Sequence, residues 1–287
     1  LVSGLGVVVI SQGFGTVPKL LINNGIDGVT AGRMTHLIVA GLAVAVAVMV
    51  WWGLKPGVPM RHDERPSVRE LLIGGFVQAR HPRILLAYSA AFIARGDQSV
   101  NAVFLILWGT LAGKAAGLEP AAAVMGGTLI FVVAQIAALV WAPILGPLLD
   151  RIDRVSALAV CMGLSAFGNL ALLLLDDPLA QHGTIFFILL GIGQISVFLG
   201  GQSLIGQEAP LAQRGAVLGA FNVAGAIGIL LMTAIGGQLF DRVDPRAPFV
   251  VIGMINIVLL VASVYVRIHH HRPPPADHAP PLPIDLY

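Results

Sequence analysis

Arg95 and Asp97 stand in "AAFIARGDQSVNAVFLILWG", residues 90–109, where nearly every neighbour is apolar. A charge at mid-membrane costs at least about 2.5–3.5 kcal/mol on insertion scales, so such residues face a partner, a cavity or water. Two positions along a helix turn a side chain by about 200°. The two charges therefore look opposite ways. Asp97 shares its side with Asn101 at i+4, and that stripe continues to Phe104, Leu105 and Trp108. Arg95 shares its side with Gln98 and Ser99. A helix polar on two sides must be enclosed by protein or line water. A carboxylate facing a transport path can take up and release a proton as access changes sides. The guanidinium can pair with it intermittently or hold an anionic solute. The competing reading is a fixed ion pair from each residue to another helix.

Further polar residues lie in apolar runs: Gln12, Lys19, His36, Gln135, Asn169, Gln194, Gln202 and Asn222. Gln135, Gln194 and Asn222 lie well inside their helices and could line a solute cavity with Asn101. Interhelical hydrogen bonding, worth about 0.6 kcal/mol on average, is the alternative. His36 falls near a span end and reads as interfacial, and Lys19 can snorkel to the same side. Cys161, the single cysteine, excludes an intrachain disulfide and reads as a small packing residue. His269 to His271 is a short histidine tract, but three consecutive histidines in a flexible tail make a poor closed metal site. No cofactor is expected.

The elements that must position these residues follow from composition. The 287 residues are 56% hydrophobic and 11% charged, with mean hydropathy +0.86. A soluble domain carries about 25% charged residues. Apolar segments fall near 2–22, 32–54, 84–110, 121–147, 155–175, 184–206, 215–239 and 248–267. Each can cross a hydrocarbon core about 30 Å thick, which needs roughly 20 helical residues. The fold class is an all-α polytopic membrane protein. Few aromatics and no girdle alternation argue against a β-barrel. The chain opens at Leu1, already apolar, with no basic n-region or cleavage site. It reads as one entered in the middle of a larger protein.

With eight spans the connections alternate sides. Eleven Lys and Arg residues fall in the 55–83 connection, "DRIDR", "QEAPLAQR" and the tail, and four on the other side. The positive-inside rule puts the first set, and the C-terminus, in the cytoplasm of a cell (inner) membrane. In the 55–83 connection, "SVRE" from Ser67 to Glu70 matches a capping box. Val68, Leu71, Leu72 and Phe76 then recur at helical spacing, as in an amphipathic helix on the membrane surface. The Pro-rich tail, 269–287, reads as disordered.

Two cytoplasmic connections carry a recognisable pattern. "GPLLDRIDR", Gly146 to Arg154, follows the fourth span, and "QEAPLAQRG", Gln207 to Gly215, follows the sixth. At these residues the chain resembles the major facilitator superfamily. Its loop signature G-x-x-x-D-R-x-G-R is met by Gly146, Asp150, Arg151 and Arg154, with Asp153 in place of the second glycine. Its E…P-x-x-x-R-G element is met by Glu208, Pro210, Arg214 and Gly215, with Glu208 two residues before the proline where sugar porters have three. The resemblance implies an MFS-like bundle with eight of twelve helices present. Residues 1–54 would be helices five and six, 55–83 the linker between halves, and 84–268 the C-terminal six-helix half. It implies a secondary transporter that moves a small solute by alternating access. Gly146, Asp150, Arg151, Arg154, Glu208 and Arg214 would form a cytoplasmic gate. A proton is the expected coupling ion, with Asp97, Arg95, Asn101, Gln98, Gln135, Gln194 and Asn222 along the path. The first span lacks the G-P-x-x-G-G element of drug–proton antiporters.

The expected partners are the solute, the proton and the bilayer, with no nucleic acid. No phosphate-binding Gly-rich loop, zinc spacing or G-x-S-x-G is present. Ion-driven transport is thus favoured over ATP-driven transport within this chain. A transporter-like receptor is the alternative function, and a membrane-embedded enzyme a weaker one.

Overall fold

The computed structural model describes residues 17, 20–53 and 67–270. The expected span at 2–22 and the tail from 271 onward lie outside these residues, apart from position 17 and a helix end beginning at Leu20. Nine α-helices are described: α1 (Gly28–Gly53), α2 (Val68–Val77), α3 (Pro82–Val100), α4 (Ile106–Ala115), α5 (Pro120–Arg151), α6 (Arg154–Ala171), α7 (Thr184–Glu208), α8 (Arg214–Arg242) and α9 (Ala247–His269). A π-helical turn, Asn101–Leu105, joins α3 to α4 as one long rod. Seven helices among the described residues are long and apolar enough to cross a membrane. The chain is an all-α, multi-pass membrane protein.

Local chemistry sets the helix ends. Pro82 and Pro120 occupy first-turn positions, where a missing N–H costs nothing. Asp27 accepts from the N–H groups of Val29 and Thr30 at 3.1 and 3.0 Å and opens α1. The Thr30 side chain, and after it these backbone bonds, hold its carboxyl below the usual value. Gly117 ends α4 at φ 78, a left-handed cap that L side chains avoid, and Leu118 N–H donates to Gly113 O at 3.0 Å. The capping box forms: Ser67 N–H donates to Glu70 at 2.9 Å and Glu70 N–H to Ser67 Oγ at 3.2 Å.

Two elements run further than hydropathy indicates. α5 continues through Pro143 and Pro147 to Arg151, so Gly146, Asp150 and Arg151 lie on its last turns, not in a loop. Membrane helices tolerate interior proline because neighbours re-satisfy the freed carbonyls. The helix expected to end near 110 reaches Ala115.

α3 lies at the centre, packed on α7, α8 and α9; α6 packs on α7 and α9, and α5 on α4 and α7. Phe249, Ile93, Leu105, Leu158, Met162 and Leu190 are fully buried there. α1 buries only Ala31 and Thr35. α2 lays Gly75 on Ala216 of α8, and Tyr88 O–H donates to Gly75 O at 2.8 Å. Leu71, Leu72, Ile73 and Phe76 stay exposed, as suits a helix with its apolar side in the lipid interface.

The glycines of α8 divide in two. A Cβ at Gly225, Gly228 or Gly236 would collide with Arg95, with the Phe92 backbone or with the Phe104 ring, whereas Gly215 and Gly219 face open space.

At the end opposite the 146–154 and 207–215 motifs, Arg246 binds Asp244 at 2.9 Å and Asp176 at 3.2 Å. This joins the α8–α9 turn to the α6–α7 connection. The hydrogen bond from Arg246 holds the Asp244 carboxyl below its ordinary 3.8. A depressed folded-state pKa means stability present above the unfolded value and lost as pH falls through the folded one. We expect the melting temperature of purified protein to fall below about pH 4, and Asp244→Asn to flatten that decline. An equal decline in both proteins would remove Asp244 as a cause. Asp244 is 39% exposed, so the effect is small.

Candidate functional site

Asp97 is 1% exposed and lies in a cluster of polar side chains from three helices. On its own rod, Asn101 Nδ2 donates to Asp97 Oδ1 at 3.0 Å, the i+4 pairing expected from spacing. From α6, Ser165 Oγ donates to Asp97 Oδ2 at 3.3 Å. Asn169 and Asn256, the latter on α9, each donate to Ser165 Oγ, at 3.3 and 3.1 Å. The donors thus run in one direction, from the two asparagines through Ser165 to the carboxylate. Asn101, Ser165, Asn169 and Asn256 are all at 0% exposure. The π-helical turn begins at Asn101 itself; such turns recur at functional positions.

Arg95 points the other way. Its guanidinium lies 5.0 Å from the centre of the Phe198 ring on α7, a cation–π contact. Its stem fills the space over Gly225 of α8. Arg95 is half-buried, and no carboxylate among the described residues lies within ion-pairing distance of it. The alternative of fixed ion pairs for Arg95 and Asp97 therefore has no support among the described residues. Beside Arg95, Gln98 is half-buried, and Ser99 Oγ meets Thr233 Oγ1 of α8 at 2.6 Å.

The remaining expected path residues do not converge on one point. Gln135 Nε2 donates to Gln194 Oε1 at 3.3 Å, linking α5 to α7. Asn222 is exposed on α8, and its amide donates to the Leu218 carbonyl at 3.0 Å. His36 is exposed and bonds the Gly32 carbonyl at 2.8 Å. Gln12 and Lys19 lie outside the described residues.

The motifs at 146–154 and 207–215 form two separate clusters. Glu208, at the end of α7, is bound by Arg83 Nη1 at 3.0 Å. Arg83 also donates to the His270 carbonyl at 3.1 and 3.3 Å, tying the start of α3 to the ends of α7 and α9. A cavity of about 450 Å³ lies beside this knot, lined by His81, Arg83, Glu208, Pro210, His269 and His270. Arg214 is exposed at the start of α8. In the other cluster, Arg154 binds Asp150 at 2.8 Å and the Leu149 carbonyl at 2.7 Å. Asp153 caps α6 by accepting from Val155 and Ser156 N–H, and it pairs with Arg267 of α9 at 3.4 Å. Arg151 is exposed.

The family model of the major facilitator superfamily matches residues 3–231 and 121–285 of this chain. The chain belongs to the major facilitator superfamily. Magnetosome protein MamH of Paramagnetospirillum magneticum is 31% identical over 248 residues, which are 86% of this chain and 57% of MamH. Magnetosome protein MamZ of the same organism is 27% identical over 211 residues, 74% of this chain and 32% of MamZ. MamZ of Magnetospirillum gryphiswaldense is 28% identical over 185 residues, 64% of this chain and 28% of that protein. The chain thus spans little more than half the length of MamH and about a third of MamZ.

Family membership gives Asp153 a physical reading. Where the superfamily signature has glycine, this chain has a helix cap that also binds Arg267. Sequence spacing gives no sign of the Arg83–Glu208 pair, because Arg83 lies at the end of the 55–83 connection, 125 residues from Glu208. Its side chains are only 10% and 13% exposed. Removing one partner of a buried pair strands the other charge. We expect Glu208→Ala to destabilise the protein by about 2–3 kcal/mol and Glu208→Gln, which keeps an acceptor, by clearly less. Thermal unfolding in detergent reads this, and equal loss in both variants would assign the effect to packing.

Proposed function

We propose that this chain contributes the C-terminal half of a secondary transporter that moves a small solute across a membrane by alternating access. Residues 1–54 belong to the end of the N-terminal half, 55–83 connect the halves, and 84–268 make the second half, with the C-terminus in the cytoplasm. The observation that carries this reading is the separation of two polar centres on one rod. Asp97 is enclosed among asparagines and serine of α6 and α9. Arg95 stands two residues away on the other side, against Phe198, with no acid partner among the described residues.

Arg95 is positioned to hold an anionic or carboxylate-bearing solute, with Gln98 and Asn222 as further polar contacts. Asp97 is positioned to hold the coupling ion, for which a proton is the first expectation. Solute contact at Arg95 would rotate or shift the rod and so alter the enclosure of Asp97. Asp150, Arg151, Arg154, Glu208 and Arg214 act in the cytoplasmic gate, pairing differently in the two access states.

Flux into vesicles carrying the full-length parent tests the reading. A transporter accumulates an anionic solute when an ion gradient is imposed, and Arg95→Gln weakens solute binding at least tenfold. A receptor binds without accumulation, and an enzyme alters the solute; either result would displace the proposal. The relatives' names further suggest association with magnetosomes. A tagged parent expressed in Magnetospirillum gryphiswaldense should then fractionate with them, and recovery only in the bulk cell membrane would end that suggestion.

A further inference from the structure

α2 is strapped to the bundle along one side and open along the other. A Cβ at Gly75 would collide with the Ala216 carbonyl of α8, so the two helices touch there at the backbone. The Tyr88 hydroxyl of α3 donates to the Gly75 carbonyl, and the Tyr88 and Phe76 rings meet edge-on with centroids 6.4 Å apart. Gln78 Nε2 donates at 2.7 Å to Oε1 of Gln213, the residue before α8. These contacts fix α2 in place and leave Leu72, Ile73, Phe76 and Val77 exposed. With Ala79 and Arg80 these four line a shallow groove of about 580 Å³.

Helix lengths set the depth of this groove. The α3–α4 rod has 34 residues and is about 51 Å long at 1.5 Å per residue. Centred on a hydrocarbon core of about 30 Å, it projects about 10 Å at each end. Tyr88 stands six residues from Pro82, about 9 Å along the rod. The contact with α2 therefore lies where acyl chains give way to headgroups. An apolar groove at that depth meets lipid chains, and a charged end to it meets lipid phosphates. Arg80 is that end. It is exposed and has no acid partner among the described residues. His81 follows it, and then the first turn of α3, which has no side-chain cap and carries the positive end of that helix dipole. Glu70, the acid of α2, is ten residues from Arg80 and accepts from Ser67 N–H.

We propose that the outer side of α2 holds one anionic phospholipid, with an acyl chain along Leu72, Ile73, Phe76 and Val77 and the phosphate on Arg80. This goes beyond the transport reading and does not depend on it. Charge complementarity selects the headgroup. A zwitterionic lipid brings an ammonium that Arg80 and the start of α3 repel, whereas an anionic lipid brings none. The strap matters because it holds the groove open before any lipid arrives, so little ordering is needed on binding.

The test is native mass spectrometry of the delipidated full-length parent, titrated in detergent with phosphatidylglycerol or with phosphatidylcholine of identical chains. The expected result is one retained lipid, with phosphatidylglycerol favoured by about fivefold, the contribution of one arginine near an anionic surface. Arg80→Gln should remove most of that preference without weakening phosphatidylcholine. Phe76→Ser should weaken both lipids, because it cuts into the chain groove. Lys114→Gln, at the far end of the rod, should change neither. Elution of each variant as a single monodisperse peak guards against misfolding. Equal affinity for the two lipids in the parent would overturn the proposal. So would a preference that survives Arg80→Gln, which places the headgroup elsewhere, or one that Lys114→Gln removes equally, which makes it an effect of total charge. A parent that is dimeric in detergent and becomes monomeric as Phe76→Ser would give the groove to a second copy instead. No flux is measured, so the transport reading stands or falls separately.

Discussion

Gly228→Leu is expected to lower the unfolding temperature of the protein by roughly 5–10 °C, while Gly219→Leu leaves it almost unchanged. Both glycines lie on α8, nine residues apart, and both belong to the small-residue pattern of that helix. Their surroundings differ. A Cβ at Gly228 would penetrate the main chain of α3 at Phe92, and backbone cannot turn aside as a flexible side chain can. Overpacking typically costs 1–3 kcal/mol and occasionally more. A backbone contact between two central helices belongs at about 3 kcal/mol or above, since the whole α3–α8 interface must open. At about 2–4 °C per kcal/mol for a chain of this size, that gives the stated drop. Gly219 has nothing within 4 Å of its Cβ direction, so a side chain there meets open space. Thermal unfolding of both variants in one detergent decides it. Equal effects would mean that the two glycines act through helix propensity rather than contact.

The second large effect concerns Asp97. Asp97→Asn is expected to abolish ion-driven accumulation of solute while leaving the fold as stable as before or more so. The amide keeps one oxygen to accept from Asn101 or Ser165, now 3.0 and 3.3 Å from the carboxylate. Its NH₂ adds a donor where three amide oxygens lack one. It also removes a buried charge, and replacing buried charges by neutral groups of similar volume is often neutral or stabilising by about 1–4 kcal/mol. Ion coupling needs a group whose charge state or ligand changes, and an amide offers none. Solute exchange down its gradient should therefore persist while uphill accumulation disappears. Stability and flux are measured on the same preparation. A variant that loses stability along with flux would make Asp97 a packing element of the α3–α6–α9 core. A variant with intact coupling would move the coupling ion elsewhere.

Much of this architecture was legible in the chain. Hydropathy is a sum over neighbours in sequence, so the spans from α1 through α9 could be read without knowing what packs on what. The Ser67–Glu70 box and the Asp97–Asn101 pairing were legible for the same reason: both partners sit within one helical turn. The opposed directions of Arg95 and Asp97 followed from helical pitch alone. The motifs at Gly146–Arg154 and Glu208–Gly215 indicated the family that the whole-chain match establishes.

What the chain could not show is which helix faces meet. Nothing near Ser165 in sequence marks it as a partner of Asp97, and the one local signal for Asn256 is its standing as a lone asparagine in the apolar run of α9. They reach the site across sequence separations of 68 and 91 residues, Ser165 to Asp97 and Asn256 to Ser165. Arg83 finds Glu208 across 125 residues. The glycines of α8 look equivalent in one dimension, yet only those turned toward α3 and the following turn carry contacts. Local periodicity determines where each side chain points around its own helix axis. The rotation of each helix against its neighbours is set by packing of small residues over the whole interface, and only that decided that Asp97 sits enclosed among asparagines while Arg95 stands against Phe198.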